Sequence, residues 1–172
     1  MRKATVFGIV LCLLLVLTAS APATQRRRGK PRPKLAAVCG DPTARCRTEY
    51  TFEPYNLPFF LSSNAVIYET EKFYAIILKS VRDDKLDGTI FVPETERIEA
   101  QQLFPHNKVF TSRDNGMPGD LYYSSVKGDQ KFMAVYAGRT QAEAKKMLAK
   151  VKATGKFPGA NLRRMHAGFN GT

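Results

Sequence analysis

A weak internal duplication constrains this chain more than any other feature. Lys72-Phe73-Tyr74-Ala75-Ile76-Ile77 resembles Lys131-Phe132-Met133-Ala134-Val135-Tyr136 at an offset of 59, and Phe104-Pro105 resembles Phe157-Pro158 at an offset of 53. An insertion around Asp83-Asp84-Lys85-Leu86-Asp87-Gly88 absorbs the difference of six. Self-similarity at a fixed spacing means that one supersecondary unit is used twice.

Each half reads as strand, helix, strand. In the second half, Phe132 to Ala137 is a run of apolar and aromatic residues ending at Gly138, as for a central strand followed by a turn. Thr140-Gln141-Ala142-Glu143 then has the form of a capping box. Ala144, Met147, Leu148 and Val151 fall at the i, i+3, i+4, i+7 spacing of one buried stripe, leaving Lys145, Lys146, Lys150 and Lys152 as a solvated face. Gly155 stops the helix, cations in its last turns suit the helix dipole, and Ala160 to Met165 returns as a strand.

In the first half, Phe73 to Lys79 is the strand and Pro93 opens a helix over Glu94 to Phe104. Ala100, Leu103 and Phe104 form its buried edge, Glu94, Glu96 and Glu99 its solvated face, and Lys108 to Thr111 the second strand. Joined, the halves give an α+β fold of ferredoxin-like βαββαβ type, a four-stranded antiparallel sheet with two helices on one face. Leu121-Tyr122-Tyr123-Ser124 either adds an edge strand or packs between the halves. One sheet face is expected to be free of helices, and RNA-binding domains of this topology bind their polymer on that face.

The residues before this domain set the compartment. Arg2 and Lys3 precede an apolar run from Val6 to Thr18, and Ala21-Pro22-Ala23 has the small-x-small form that a signal peptidase cuts. The run of 13 residues is shorter than the roughly 20 needed to cross the hydrocarbon core. Residues 1–23 are therefore expected to be a signal peptide, with retention as an anchor the other reading. Residues 24–38 form a basic arm with Arg26, Arg27, Arg28, Lys30, Arg32 and Lys34, too poor in apolar residues to pack and expected to be disordered. It is either a solvated linker or an electrostatic contact to an anionic membrane or wall surface.

Residues 39–64 hold a cysteine loop and an extended aromatic segment. Cys39 and Cys46 remain after cleavage and enclose turn residues, so a disulfide is expected in an oxidising compartment. A metal site with His106 or His166 lacks ligand spacing, and neither a metal nor a cofactor is expected. Tyr50, Phe52, Tyr55, Phe59 and Phe60, broken by Pro54 and Pro58, read as extended packing across the domain. Lys plus Arg total 27 against 15 acidic residues, a net charge of +12 that favours a polyanionic partner. Export argues against nucleic acid.

The segment from Phe132 through Ala137-Gly138-Arg139-Thr140-Gln141-Ala142-Glu143-Ala144 to Gly155-Lys156-Phe157-Pro158-Gly159-Ala160 resembles the sporulation-related repeat (SPOR) family. The resemblance extends over residues 65–172 and implies an exported, periplasmic or cell-envelope module that binds peptidoglycan glycan strands lacking stem peptides, often at the division septum. Where that family often carries Gln and then Gly on its first strand, this chain has Ile77 and Lys79. The equivalent place on the third strand is Tyr136, whose ring can stack on a sugar, and Arg163 or Arg164 on the last strand can reach the same face; alternation allows only one of the two to do so, and Arg163 is preferred. The expected ligand residues are thus Ile77, Tyr136, Arg163 and Arg164.

The alternative is an envelope protein-interaction or structural protein in which Ile77 and Tyr136 pack under the preceding aromatic segment and the open face is capped. No catalytic constellation is visible, since neither histidine has a nucleophile or carboxylate pair close in sequence and no glycine-rich phosphate loop opens a helix. The chain is expected not to be an enzyme.

Overall fold

The computed structural model describes residues 38–40, 58–59, 66–86, 88–113 and 121–172. All lie in the compact unit Pro33–Thr172. The expected signal peptide, most of the basic arm, Cys46 and most of the aromatic segment fall outside the described residues. Among the described residues no helix is long and apolar enough to cross a membrane.

The fold is α+β. In chain order its elements are β1 (Ile67–Glu69), β2 (Phe73–Arg82), α1 (Glu94–Leu103), β3 (Val109–Thr111), β4 (Leu121–Tyr123), β5 (Gln130–Gly138), α2 (Gln141–Ala153), β6 (Asn161–Met165) and β7 (Ala167–Asn170). A four-stranded sheet runs in the order β3-β5-β2-β6 with every neighbouring pair antiparallel. A separate three-stranded antiparallel sheet has the order β1-β7-β4.

Side-chain alternation on β2 and β5 divides the core between the two faces of the larger sheet. Ile76, Leu78, Met133, Val135 and Ala137 point to one side, where Ala100 and Phe104 at α1 and Ala144, Met147 and Val151 of α2 close over them. The stripe expected on α2 is the one that is buried, with Leu148 at its margin. Its start is held by Thr140, whose hydroxyl accepts the Glu143 N–H, while the Glu143 carboxylate accepts the N–H groups of Arg139 and Thr140 at 3.0 and 2.9 Å. Gly138 lets the chain reach this cap: its φ is +109°, and a side chain there would meet the Glu143 carboxylate.

The carboxylates of α1 are more occupied than the solvated face expected for them. Glu94 pairs at 2.7 Å with Arg97, which is itself buried and donates to the Val109 carbonyl, and Glu96 pairs with Lys79 of β2. Only Glu99 of the three is fully exposed.

The second face of the large sheet carries no helix, as expected, but it is capped rather than open, which is the alternative of the two sequence readings. Phe73, Ala75 and Ile77 of β2 and Phe132, Ala134 and Tyr136 of β5 form one cluster with Leu121 and Tyr123 of β4 and Ala167 of β7. Tyr68 of β1 and Phe169 of β7 pack against it, and Val38 and Phe59 complete it. The small sheet and these two residues therefore cover the face opposite the helices. Leu121–Tyr123, read as an edge strand or a linker, is an edge of the covering sheet. Thr70 continues the pairing of β1 with β7 by one residue: its N–H donates to the Ala167 carbonyl at 2.9 Å, and its hydroxyl accepts the Ala167 N–H at 3.1 Å.

Candidate functional site

Two of the expected ligand residues lie in the interior. Tyr136 is 2% exposed and Ile77 is 8% exposed. The Tyr136 ring packs 5.9 Å from that of Phe73, and the backbone of Gly40 approaches so closely that a Cβ there would sit 2.9 Å from Tyr136 Cβ. Gly40, next to Cys39, thus lies directly on this tyrosine. Cys39 is disulfide-bonded, with its bonding partner outside the described residues, and its N–H donates to the Pro58 carbonyl at 2.7 Å. A ring so placed cannot stack on a sugar.

The other two residues reach solvent. Arg163 pairs in register with Ala75, which in turn is opposite Tyr136, so Arg163 belongs to the covered side of the sheet but stands exposed on its edge strand. Arg164 pairs with Tyr74, lies on the helix side and places its guanidinium 5.9 Å from the Tyr74 ring. Tyr136 and an arginine therefore do not line a common groove.

The cations instead collect outside. On α2 the residues flanking the buried stripe, Lys145, Lys146, Lys150 and Lys152, are all exposed, as is Lys156 just beyond. Among the described residues none of them is joined to a carboxylate. The helix's one acid, Glu143, has its carboxylate turned back into the cap. Because α2 packs on β6, Arg164 on the helix side of that strand adds to this basic surface, while Arg163 stands exposed at the same sheet edge on the other side. Field lines from cations without counter-charges add over such a surface and attract an extended anion.

A second group of polar residues could not be seen in sequence, because three strands supply it. Glu69 on β1, Gly168 on β7 and Tyr122 on β4 stand in one cross-strand row. A Cβ on Gly168 would lie 2.1 Å from Cζ of Tyr122, so the glycine leaves the space that the tyrosine ring occupies. The ring thereby spans β7, and its hydroxyl donates to Glu69 Oε1 at 2.6 Å. His166, two residues before Gly168, meets the Tyr122 ring edge-on at 6.2 Å and brings Nε2 to 3.8 Å from Glu69 Oε1. The histidine that lacked a carboxylate in sequence thus has one in space.

The hydrogen bond to Glu69, then partial burial and the carboxylate's charge, push the Tyr122 phenol up from 10.0 to about 12. The folded chain keeps this proton to about pH 12, whereas the unfolded chain releases it near 10.0. The stabilisation is therefore full below the unfolded value and is lost as pH rises through the folded one. An ultraviolet titration of tyrosinate should include a phenol that ionises at about pH 12 and that Glu69→Gln returns toward the ordinary range. Normal ionisation of every tyrosine in the folded chain would contradict this geometry.

Comparison with known proteins returns no family model, no curated protein and no solved structure that matches the chain.

Proposed function

We propose that this chain is an exported cell-envelope module that adheres to anionic wall polymer through the cations of α2 and β6, its larger sheet serving as an internal interface. The element order β2-α1-β3-β5-α2-β6, with strand order β3-β5-β2-β6, supports a ferredoxin-like reading of the larger sheet and hence the likeness to SPOR domains. The observation that carries the polymer reading is the set of exposed cations Lys145, Lys146, Lys150, Lys152 and Lys156 with Arg163 and Arg164 on the neighbouring sheet edge, no carboxylate being paired to the lysines among the described residues.

Peptidoglycan glycan strands without stem peptides suit this surface, because each muramic residue then carries a free carboxylate. The surface differs from the sheet-face contact implied by the resemblance, since the rings available for such a contact are buried. A protein partner is the second reading, favoured by Val66 and Ile67, which are 54% and 66% exposed at β1, an edge strand of the small sheet among the described residues.

Co-sedimentation of the mature chain with purified sacculi tests the proposal. Binding should fall steeply between about 0.1 M and about 1 M salt, as the screening length shrinks from about 10 Å to about 3 Å. It should also fall when the α2 lysines are neutralised. Binding indifferent to both would refute it.

A further inference from the structure

We infer that the outer face of the three-stranded sheet is a subsite for one uncharged sugar ring, with Tyr122 as its platform and Glu69 and His166 as its polar contacts. The inference rests on the wall-polymer reading for the source of the sugar, but it concerns a different surface and a different chemistry from the cations of α2.

Side chains of a strand ordinarily stand away from the sheet. Tyr122 instead crosses its neighbouring strand over Gly168, where a Cβ would meet Cζ, the hydroxyl oxygen and Cε2 at 2.1, 2.4 and 2.6 Å. The ring's inner side is applied to backbone, and the residue is partly exposed. An aromatic face laid along a sheet is the shape that receives the apolar C–H face of a pyranose. Tyr122 is anchored at its far end by the 2.6 Å bond to Glu69, so little side-chain freedom remains to be lost when a ring settles on it.

Glu69 is a side chain 46% exposed whose Oε1 takes the Tyr122 hydroxyl, while Oε2 has no partner among the described residues. A carboxylate oxygen is an acceptor only and prefers donors such as vicinal sugar hydroxyls. His166 beside it, 23% exposed, can donate or accept through its ring nitrogens. The charge of Glu69 also repels an anion, so this face selects a neutral polyhydroxylated ring, complementary to the carboxylates that α2 would hold.

The rival explanation is that Tyr122 and Glu69 only clamp β4 to β1 across β7. Both explanations predict that breaking the bond loosens the small sheet, so stability cannot separate them. The probe is an uncharged oligomer of N-acetylglucosamine, titrated into the full mature chain and followed by amide NMR at low and high salt. The subsite predicts shifts confined to the neighbourhood of Glu69, Tyr122, His166 and Gly168, unchanged by salt.

Tyr122→Ala should weaken this binding at least about tenfold, whereas Tyr122→Phe, which keeps the ring and loses the bond, should weaken it less. His166→Ala, which leaves the tyrosine–carboxylate bond in place, should also weaken binding and serves as the readout if Tyr122→Ala does not fold. No shifts at these residues, or binding unchanged in folded Tyr122→Ala and His166→Ala, would overturn the inference. Because the probe has no charge, either outcome leaves the salt-dependent binding by α2 to be judged separately.

Discussion

Truncation of Tyr136 to alanine is expected to cost about 3 to 5 kcal/mol of folding stability, the range for removing a large buried ring and leaving a cavity. The side chain sits between the β2 ring of Phe73 and the backbone of Gly40, in the cluster that joins the two sheets. Little can collapse into the space, because the neighbours belong to two sheets whose separation is set by many other contacts. For a chain of this size the loss corresponds to a fall in melting temperature of roughly 10 °C or more. A ring exposed on an open face would give a change within about 0.5 kcal/mol. Denaturant unfolding of the variant separates these outcomes, and the fraction that remains folded should still bind sacculi.

Neutralising Lys145, Lys146, Lys150 and Lys152 to glutamine should lower affinity for anionic wall material by up to roughly a thousandfold. Each cation close to an anionic surface contributes about 1 kcal/mol at moderate salt, and about 1.4 kcal/mol is a factor of ten in affinity. Glutamine is as good a helix former as lysine, so α2 should keep its place. The buried stripe of Ala144, Met147 and Val151 and the capping box are untouched. The variant should therefore unfold at nearly the wild-type denaturant concentration while sedimenting poorly with sacculi. Unchanged sedimentation would move the polymer contact away from α2. Deleting Thr24 to Lys34, with six cations of its own, measures separately what the arm adds.

The elements that sequence reveals here are those whose signals are local. The capping box at Thr140 and Glu143, the apolar stripe from Ala144 to Val151 and the turn at Gly138 all act within a few residues, and α2 forms where they place it. Strands β2, β5 and β6 are likewise visible, though β2 and β5 run longer than expected, to Arg82 and from Gln130.

The covering sheet is hidden because β1, β4 and β7 have only three, three and four residues, too few for a readable alternation. Their pairing joins Glu69 to Gly168 and Leu121 to Phe169, far apart in the chain. One signal did bear on it. A sheet open on one face alternates apolar and polar residues, whereas a strand buried on both faces is apolar without a break. Phe73 to Leu78 and Phe132 to Ala137 are unbroken in this way, and both faces of each are buried. Glu94 shows the converse: expected on a solvated face, it is instead turned to Arg97 one turn later, a buried charge that it neutralises.

The central claim is that polymer meets the outside of α2 and β6 and not the enclosed face of the larger sheet. Amide NMR of the chain from Thr24 onward with soluble, peptide-free glycan fragments maps the contact residue by residue. The account predicts perturbations along Lys145 to Lys156 and at Arg163 and Arg164 that fade with salt, with the amides of Ile77 and Tyr136 still. Perturbation centred on Ile77 and Tyr136 would mean that the small sheet opens to admit the glycan, and would contradict it.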